Sequence, residues 1–177
     1  LIAIKVLKEA DVILAEDTRH TGLLLKHFDI PHKPLVSLYD EVEFEKLNDL
    51  VALVSSDQKV AMVSDAGTPL ISDPGYKLVR EALKAGAKVE SIPGPCAAIT
   101  ALTVSGLPPD RFMFFGYPPE KDAHQKEVLA NLPENTTIIF YVSPYKLHRF
   151  LNNLGEIDIV ICRELTKIYE EKWVGKV

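Results

Sequence analysis

Short runs of consecutive apolar residues recur along the chain, and polar turns or stretches with helical periodicity separate them. Consecutive apolar positions are typical of strands that are buried on both faces, as in parallel sheets. We therefore predict strands at Val12–Ala15, Val60–Val63, Val89–Ile92, Phe112–Phe115, Thr136–Tyr141 and Ile157–Cys162.

Helical periodicity places apolar residues on one face of the segments between these runs. The predicted helices are Thr21–Phe28, Phe44–Val54 and Gly75–Ala85, the last followed by Gly86 as a helix-ending residue. Alternating strands and helices predict an α/β fold whose sheet is mainly parallel in the first part of the chain.

A polar segment with paired prolines, Gly116–Asp122, marks the predicted domain boundary. The prediction is an N-terminal α/β domain over residues 1–115 and a C-terminal α/β domain over residues 116–177. Because the chain opens with Leu1 inside a helical pattern, we expect the first domain to be truncated at its start. The second has few residues for a complete domain, so we expect it to be incomplete.

Composition excludes some classes of protein. The chain has 177 residues, of which 47% are hydrophobic and 25% charged, a balance that excludes general disorder. No apolar run approaches the roughly 20 residues of a membrane-spanning helix. Two cysteines in apolar surroundings favour a reducing, cytoplasmic location over a disulfide scaffold. The net charge of -5 weighs mildly against nucleic-acid binding.

Three turns follow predicted strands of one orientation, at the edge where ligands bind in open parallel sheets. They are Glu16–His20, Ser64–Pro69 and Pro93–Ala98. Glycines in the second and third turns permit close approach to a ligand, and prolines keep the loops rigid. We place ligand binding ahead of a purely structural turn for Gly67–Pro69.

Several residues have a structural interpretation as well as a functional one. Ser72 and Asp73 are better interpreted as a helix N-cap before Pro74, and Cys96 as a small buried residue. Asp17 with Arg19 is equally compatible with catalysis and with an ion pair that shapes the turn. The five histidines lack metal-ligand spacing, so we expect no metal.

Six ordered motifs together resemble the ribosomal RNA small-subunit methyltransferase I family of the tetrapyrrole methylase superfamily. They are Ala15–Gly22, Val63–Gly75, Ile92–Pro95, Ser105–Phe112, Phe140–Pro144 and Cys162–Lys167. The resemblance implies a two-domain α/β fold that binds S-adenosyl-L-methionine between its domains, with a mixed sheet in the second. It further implies a homodimer that methylates the ribose 2′-hydroxyl of a cytidine in small-subunit ribosomal RNA, free or in the ribosomal subunit.

The resemblance also implies cofactor-binding residues in three segments. In the first of them, Thr68 stands where the superfamily's loop carries an aspartate. The residues are Asp65, Ala66, Gly67, Thr68, Pro69, Leu70, Pro93, Gly94, Cys96, Ala97, Tyr141 and Val142.

Methyl transfer to a hydroxyl needs a proton acceptor, and we predict Asp17 because it follows a strand at the sheet edge. Arg19 would hold a phosphate or keep Asp17 ionised by lowering its pKa. Two alternatives stay open. The acidic charge favours a methylase of the same fold that acts on a tetrapyrrole or another small molecule. The second alternative is a noncatalytic nucleotide-binding or scaffold module, in which these loops would be structural turns.

Overall fold

The computed structural model describes residues 2–177, which alternate between helices and strands. The helices are α1 Ile2–Glu9, α2 Thr18–His27, α3 Asp40–Glu45, α4 Leu47–Val54, α5 Tyr76–Lys84, α6 Ala97–Ser105, α7 Asp122–Ala130 and α8 Pro144–Leu151. The strands are β1 Val12–Ala15, β2 Leu35–Ser37, β3 Val60–Val63, β4 Phe112–Gly116, β5 Thr137–Phe140, β6 Asp158–Arg163 and β7 Glu171–Lys176. The α/β fold class predicted from the sequence is confirmed.

The chain divides into two compact units, the first ending at Pro95 and the second running from Cys96 to Val177. This division differs from the boundary predicted near residue 115. The reason is that α6 belongs with the second unit: the Ala98 amide donates to the hydroxyl of Tyr141 at 3.2 Å, just after β5.

The first unit contains a parallel three-stranded sheet in the order β2-β1-β3. All four residues of the central strand β1 are buried, which matches its consecutive apolar sequence. Successive side chains of a strand point to opposite faces. Ile13 accordingly packs with Leu7 and Leu25 in one cluster, and Leu14 packs with Leu50 and Leu78 in another. Helices therefore cover both faces of the sheet.

The start of α5 differs from the sequence prediction. Gly75 is its N-cap residue, at a φ of 114°, and Ser72 lies outside the helix at a φ of 65°. The predicted Ser72–Asp73 cap is therefore wrong. The buried carboxylate of Glu43 performs this role instead, since its Oε1 accepts a hydrogen bond from the Leu78 amide at 2.8 Å.

The second unit contains parallel and antiparallel pairing, as predicted, but in two separate two-stranded sheets. The pair β4-β5 is parallel, and β6-β7 is antiparallel over six residue pairs. Its buried side chains lie mainly on helices, with Ala98 and Leu102 on α6, Gln125 on α7 and Phe150 on α8.

Two further sequence predictions need correction, and two strands were not predicted. Residues 89–92 form no strand, since no strand within residues 2–177 pairs with them. The predicted helix over residues 44–54 is interrupted at Lys46, where α3 ends and α4 begins. The strands β2 and β7 were not predicted from the sequence. Both cysteines are free thiols, and no helix in the described part of the chain has the length and apolarity to cross a bilayer.

Candidate functional site

The turn after β1 places Asp17 at the N-cap of α2. Its Oδ1 accepts a hydrogen bond from the Arg19 amide at 2.8 Å, and its Oδ2 accepts one from Arg19 Nη2 at 2.6 Å. Arg19 Nε also donates to both carboxylate oxygens. These bonds hold the pKa of Asp17 far below its ordinary value and raise that of Arg19. The predicted ion pair is present, and it makes Asp17 a weak proton acceptor.

The turn after β3 is bonded directly to the turn after β1. The Asp65 amide donates to Glu16 Oε2 at 3.1 Å, and Asp65 Oδ1 accepts from the Asp17 amide at 3.3 Å. The sheet register explains this proximity, because Ala15 pairs with Val63 at the carboxyl ends of β1 and β3. Both turns therefore form one polar cluster, as expected at this edge of a parallel sheet.

His20 is the member of this cluster that the sequence prediction missed. Its Nδ1 lies 2.9 Å from Asp65 Oδ2, and its side chain is 64% exposed. The hydrogen bond to Asp65 is the main cause of a raised His20 pKa, and Asp17 adds to the effect. No sequence signal reveals the pair, because the two residues are 45 positions apart.

Asp17, His20 and Asp65 bring possible ligand atoms to within 4.8 Å of one another. Each of these side chains already has a protein partner: Asp17 has Arg19, and His20 and Asp65 have each other. The contacts among them therefore account for the cluster as an ion-pair network. The expectation that the chain holds no metal stays a prediction.

A short glycine-proline loop continues from Asp65 and is joined to a second predicted cofactor segment. Thr68 Oγ1 donates to the Pro95 carbonyl at 2.8 Å, which connects residues 65–70 with residues 93–95. Gly67 has a φ of 82°, and a Cβ there would meet only the Pro95 carbonyl oxygen, at 3.8 Å. Leu70 also lies in the left-handed region, at a φ of 73°. Strained backbone of this kind concentrates at binding sites.

Asp73 lies close to the same polar cluster. Burial raises its pKa, and the nearby carboxylates of Glu16 and Asp65 raise it further, while a hydrogen bond with Ser64 opposes them. The carboxyl groups of Glu16, Asp65 and Asp73 thus lie near enough to one another to interact.

The second unit contributes a cavity of about 620 Å³. It is lined by α6, β5 and the segment after β5, including the predicted residues Ala97, Tyr141 and Val142. Cys96 is the N-cap residue of α6 and is only half-buried. Cys162, which no prediction placed in the site, also lines the cavity, and burial raises the pKa of its thiol.

These features fit a ligand of the size that the resemblance implies. Cavities for small molecules commonly measure about 300–1,000 Å³ and are lined mostly by apolar groups. The cavity in the second unit falls in this range, and alanines at the start of α6 leave it open. In the first unit, the missing side chain of Gly67 leaves backbone accessible beside a rigidly held turn. The structure therefore joins residues 65–70 to residues 93–95, and separately brings Ala97, Tyr141 and Val142 together.

Comparison with known proteins assigns the class to which this fold and these loops belong. The family model for tetrapyrrole (corrin/porphyrin) methylases matches residues 1–177. The chain therefore belongs to the tetrapyrrole methylase family.

Several curated relatives carry the name ribosomal RNA small subunit methyltransferase I. The chain is 48% identical to the one from Escherichia coli O157:H7 over 177 residues, which is 95% of the chain and 60% of the relative. The corresponding protein of Vibrio cholerae serotype O1 is 48% identical over 174 residues, with the same coverage. That of Streptococcus pyogenes serotype M1 is 46% identical over 182 residues, or 99% of the chain and 62% of the relative. The chain thus spans about three fifths of the length of these relatives.

Proposed function

We propose that this chain is part of an S-adenosyl-L-methionine-dependent methyltransferase that methylates the ribose 2′-hydroxyl of a cytidine in small-subunit ribosomal RNA. The single observation that carries the proposal is the 46–48% identity, over 95–99% of the chain, to proteins named ribosomal RNA small subunit methyltransferase I.

The cofactor assignment draws on both groups of residues described above. When bound, S-adenosyl-L-methionine supplies an electrophilic methyl group. In the first unit, residues 65–70 with Pro93 and Gly94 would offer backbone to it, since Thr68 and Pro95 hold the two loops together. In the second unit, Ala97, Tyr141 and Val142 line the cavity, and Cys96 precedes them at the cap of α6.

An RNA substrate requires cationic groups for its phosphates. Arg19 is 86% exposed while it is bonded to Asp17, so its guanidinium remains accessible to a phosphate from the solvent side. This observation supports a role for Arg19 in holding the substrate and agrees with the position of the turn at the edge of the sheet.

The alternative is a methylase that acts on a tetrapyrrole or another small molecule. The description of the family as corrin and porphyrin methylases and the net charge of -5 favour this alternative. Transfer of a tritiated methyl group to small ribosomal subunits and to free tetrapyrroles, by the full-length protein, separates the two. Label on the ribose of a cytidine supports the proposal. Label on tetrapyrroles alone overturns it, and no cofactor binding in calorimetry indicates the noncatalytic module.

Two glycines with nearly the same backbone conformation test the cofactor loop. Gly67 has a φ of 82° and Gly86 a φ of 85°, so alanine costs similar backbone strain at both positions. We expect G67A to weaken S-adenosyl-L-methionine binding in calorimetry, whereas G86A lowers the melting temperature comparably and binds normally. Equal affinity in both variants would move the cofactor away from this loop.

We also propose a homodimer, as the family resemblance implies, and a location in the cytoplasm, which the two free cysteines favour. Exposed aromatic and aliphatic side chains such as Leu23, Ile168 and Tyr169 provide apolar surface for association. Light scattering at micromolar concentration tests the proposed homodimer, and a monomeric mass contradicts it.

A further inference from the structure

We infer that His20, held by Asp65, accepts the proton of the ribose hydroxyl during methyl transfer. The inference rests on the proposed function, because it concerns the same reaction. It assigns the proton to a residue other than the Asp17 that the sequence suggested.

The geometry of the pair is that of an oriented imidazole. With Asp65 Oδ2 at 2.9 Å from Nδ1, the carboxylate favours the tautomer that carries its proton on Nδ1. The lone pair of Nε2 then points away from Asp65. Nε2 has no hydrogen-bond partner within residues 2–177, and the side chain is 64% exposed. A substrate hydroxyl can therefore reach it.

Asp65 is fixed from both sides, which makes it an effective positioning residue. Its amide donates to Glu16, and its Oδ1 accepts from the amide of Asp17. It lies two residues before Gly67, at the start of the loop assigned to the cofactor. The imidazole is thus held next to the loop where the methyl donor is proposed to bind.

Asp17 is less suited to this role. Its two oxygens accept the bonds from Arg19 described above, and those bonds favour its ionised form. A useful base has a pKa near the working pH. The hydrogen bond to Asp65 is the main cause of a raised His20 pKa, whereas the bonds from Arg19 strongly lower the pKa of Asp17.

The proton and electron balance is complete without another reactant. The ribose oxygen forms a bond to the methyl carbon while the carbon–sulfur bond of the donor breaks, and the sulfur keeps that electron pair. The hydroxyl proton passes to Nε2 of His20, whose positive charge is stabilised by Asp65 and is later lost to water.

Two substitutions in the full-length protein test the assignment. The side-chain amide of asparagine can keep the hydrogen bond to Asp65, but asparagine has no atom equivalent to the basic Nε2 of histidine. We expect H20N to lower kcat by about 100-fold, at the low end for a general base, with unchanged calorimetric affinity for S-adenosyl-L-methionine. The matched control is H32N, since His32 is exposed and outside the site. Its kcat should equal that of the parent protein.

The pH profile separates catalysis from simple RNA contact. His20 must be neutral to accept a proton, so kcat should rise with pH through its pKa. D65N removes the charge that raises this pKa, so its acid limb should move to lower pH and kcat should fall less than in H20N. NMR titration of the His20 ring should show the same downward shift without any turnover.

Three outcomes overturn the inference while the parent protein remains active. They are full kcat in H20N, a raised KM for RNA at unchanged kcat, and a His20 titration that D65N does not alter. If the parent transfers no methyl group to ribosomal subunits, the proposed function itself fails and the inference fails with it.

Discussion

The two units use the same kinds of elements but bury their strands to very different extents. In the first unit, every residue of β1 is buried, and Ile13 is fully inaccessible. In the second unit, no residue of β4, β5, β6 or β7 is fully buried. A parallel sheet covered by helices on both faces encloses its central strand, whereas separate strand pairs leave their side chains half-exposed.

This difference extends to the chemistry of each unit. The polar cluster of the first unit lies at the ends of β1 and β3, and β1 is completely buried. Asp65 and His20 are therefore held by a rigid part of the unit. The second unit instead offers a cavity walled by half-buried residues of β5 and by α6. Regions with fewer buried contacts open at lower free-energy cost. We therefore expect the charged cluster to be the more rigid of the two sites.

The largest expected effect comes from removing side-chain volume in the two interiors. I13A should lower the free energy of unfolding by about 3 kcal/mol, because Ile13 is completely buried. I139A, the same substitution in half-buried β5, should cost only about 1 kcal/mol, because less apolar surface is lost.

Urea unfolding followed by circular dichroism gives both values. Fluorescence of Trp173, the chain's single tryptophan, reports on the second unit alone. Equal losses for the two variants would remove the distinction between the interiors.

The sequence predicted the fold best where burial is complete. Consecutive apolar residues marked β1 and β3, and both strands have the predicted bounds. Strand β7, Glu171–Lys176, lacks a continuous apolar run because it is largely exposed, and it is held in place by its pairing with β6. Residues 89–92 were predicted as a strand although Glu90 and Ser91 are polar; they have no strand partner within the described chain, and Val89 is exposed. The apolar pattern is therefore reliable where the run is continuous and buried, and it does not record which strands pair.

The site shows the same limit. The Asp17–Arg19 pair was predictable because the two residues are neighbours in one turn. The His20–Asp65 pair depends on the alignment of β1 with β3, which no local pattern encodes. The turns Ser64–Pro69 and Pro93–Ala98 were predicted to bind a ligand from their glycines and prolines, and the family resemblance added the identity of the cofactor. The Thr68 bond that joins the two turns depends on the tertiary structure.

Substitution of two glycines with positive φ also compares the packing of the two units, with a smaller expected effect on stability. A Cβ at Gly75 in the first unit would lie 2.7 Å from Met62 Sδ and 3.3 Å from Leu70 Cδ1, whereas at Gly155 in the second unit it would meet nothing within 4 Å. We expect G75A to cost about 2–3 kcal/mol, from backbone strain and displacement of Met62. G155A should cost about 1 kcal/mol, from strain alone. Urea unfolding again measures both, and equal costs would mean that the first unit repacks freely.

The smallest expected effect concerns an exposed ion pair in each unit, Asp17 with Arg19 and Asp122 with Arg149. Hydrogen bonds from the arginines lower the pKa of both aspartates in the folded protein. Above pH 3.8, the ordinary pKa of an aspartate, the lowered pKa in the folded state adds stability, and this stability is lost as the pH falls further.

D17N and D122N should therefore each lower the melting temperature slightly at neutral pH, and this deficit should shrink as the pH falls below 3.8. D57N, which removes an exposed carboxylate outside these pairs, is the control. Asp17 is only 20% exposed and its pKa is strongly lowered, whereas Asp122 is 51% exposed, so we expect the larger of the two small deficits for D17N. Equal deficits would show that the surface charges do not share the difference in burial between the two units.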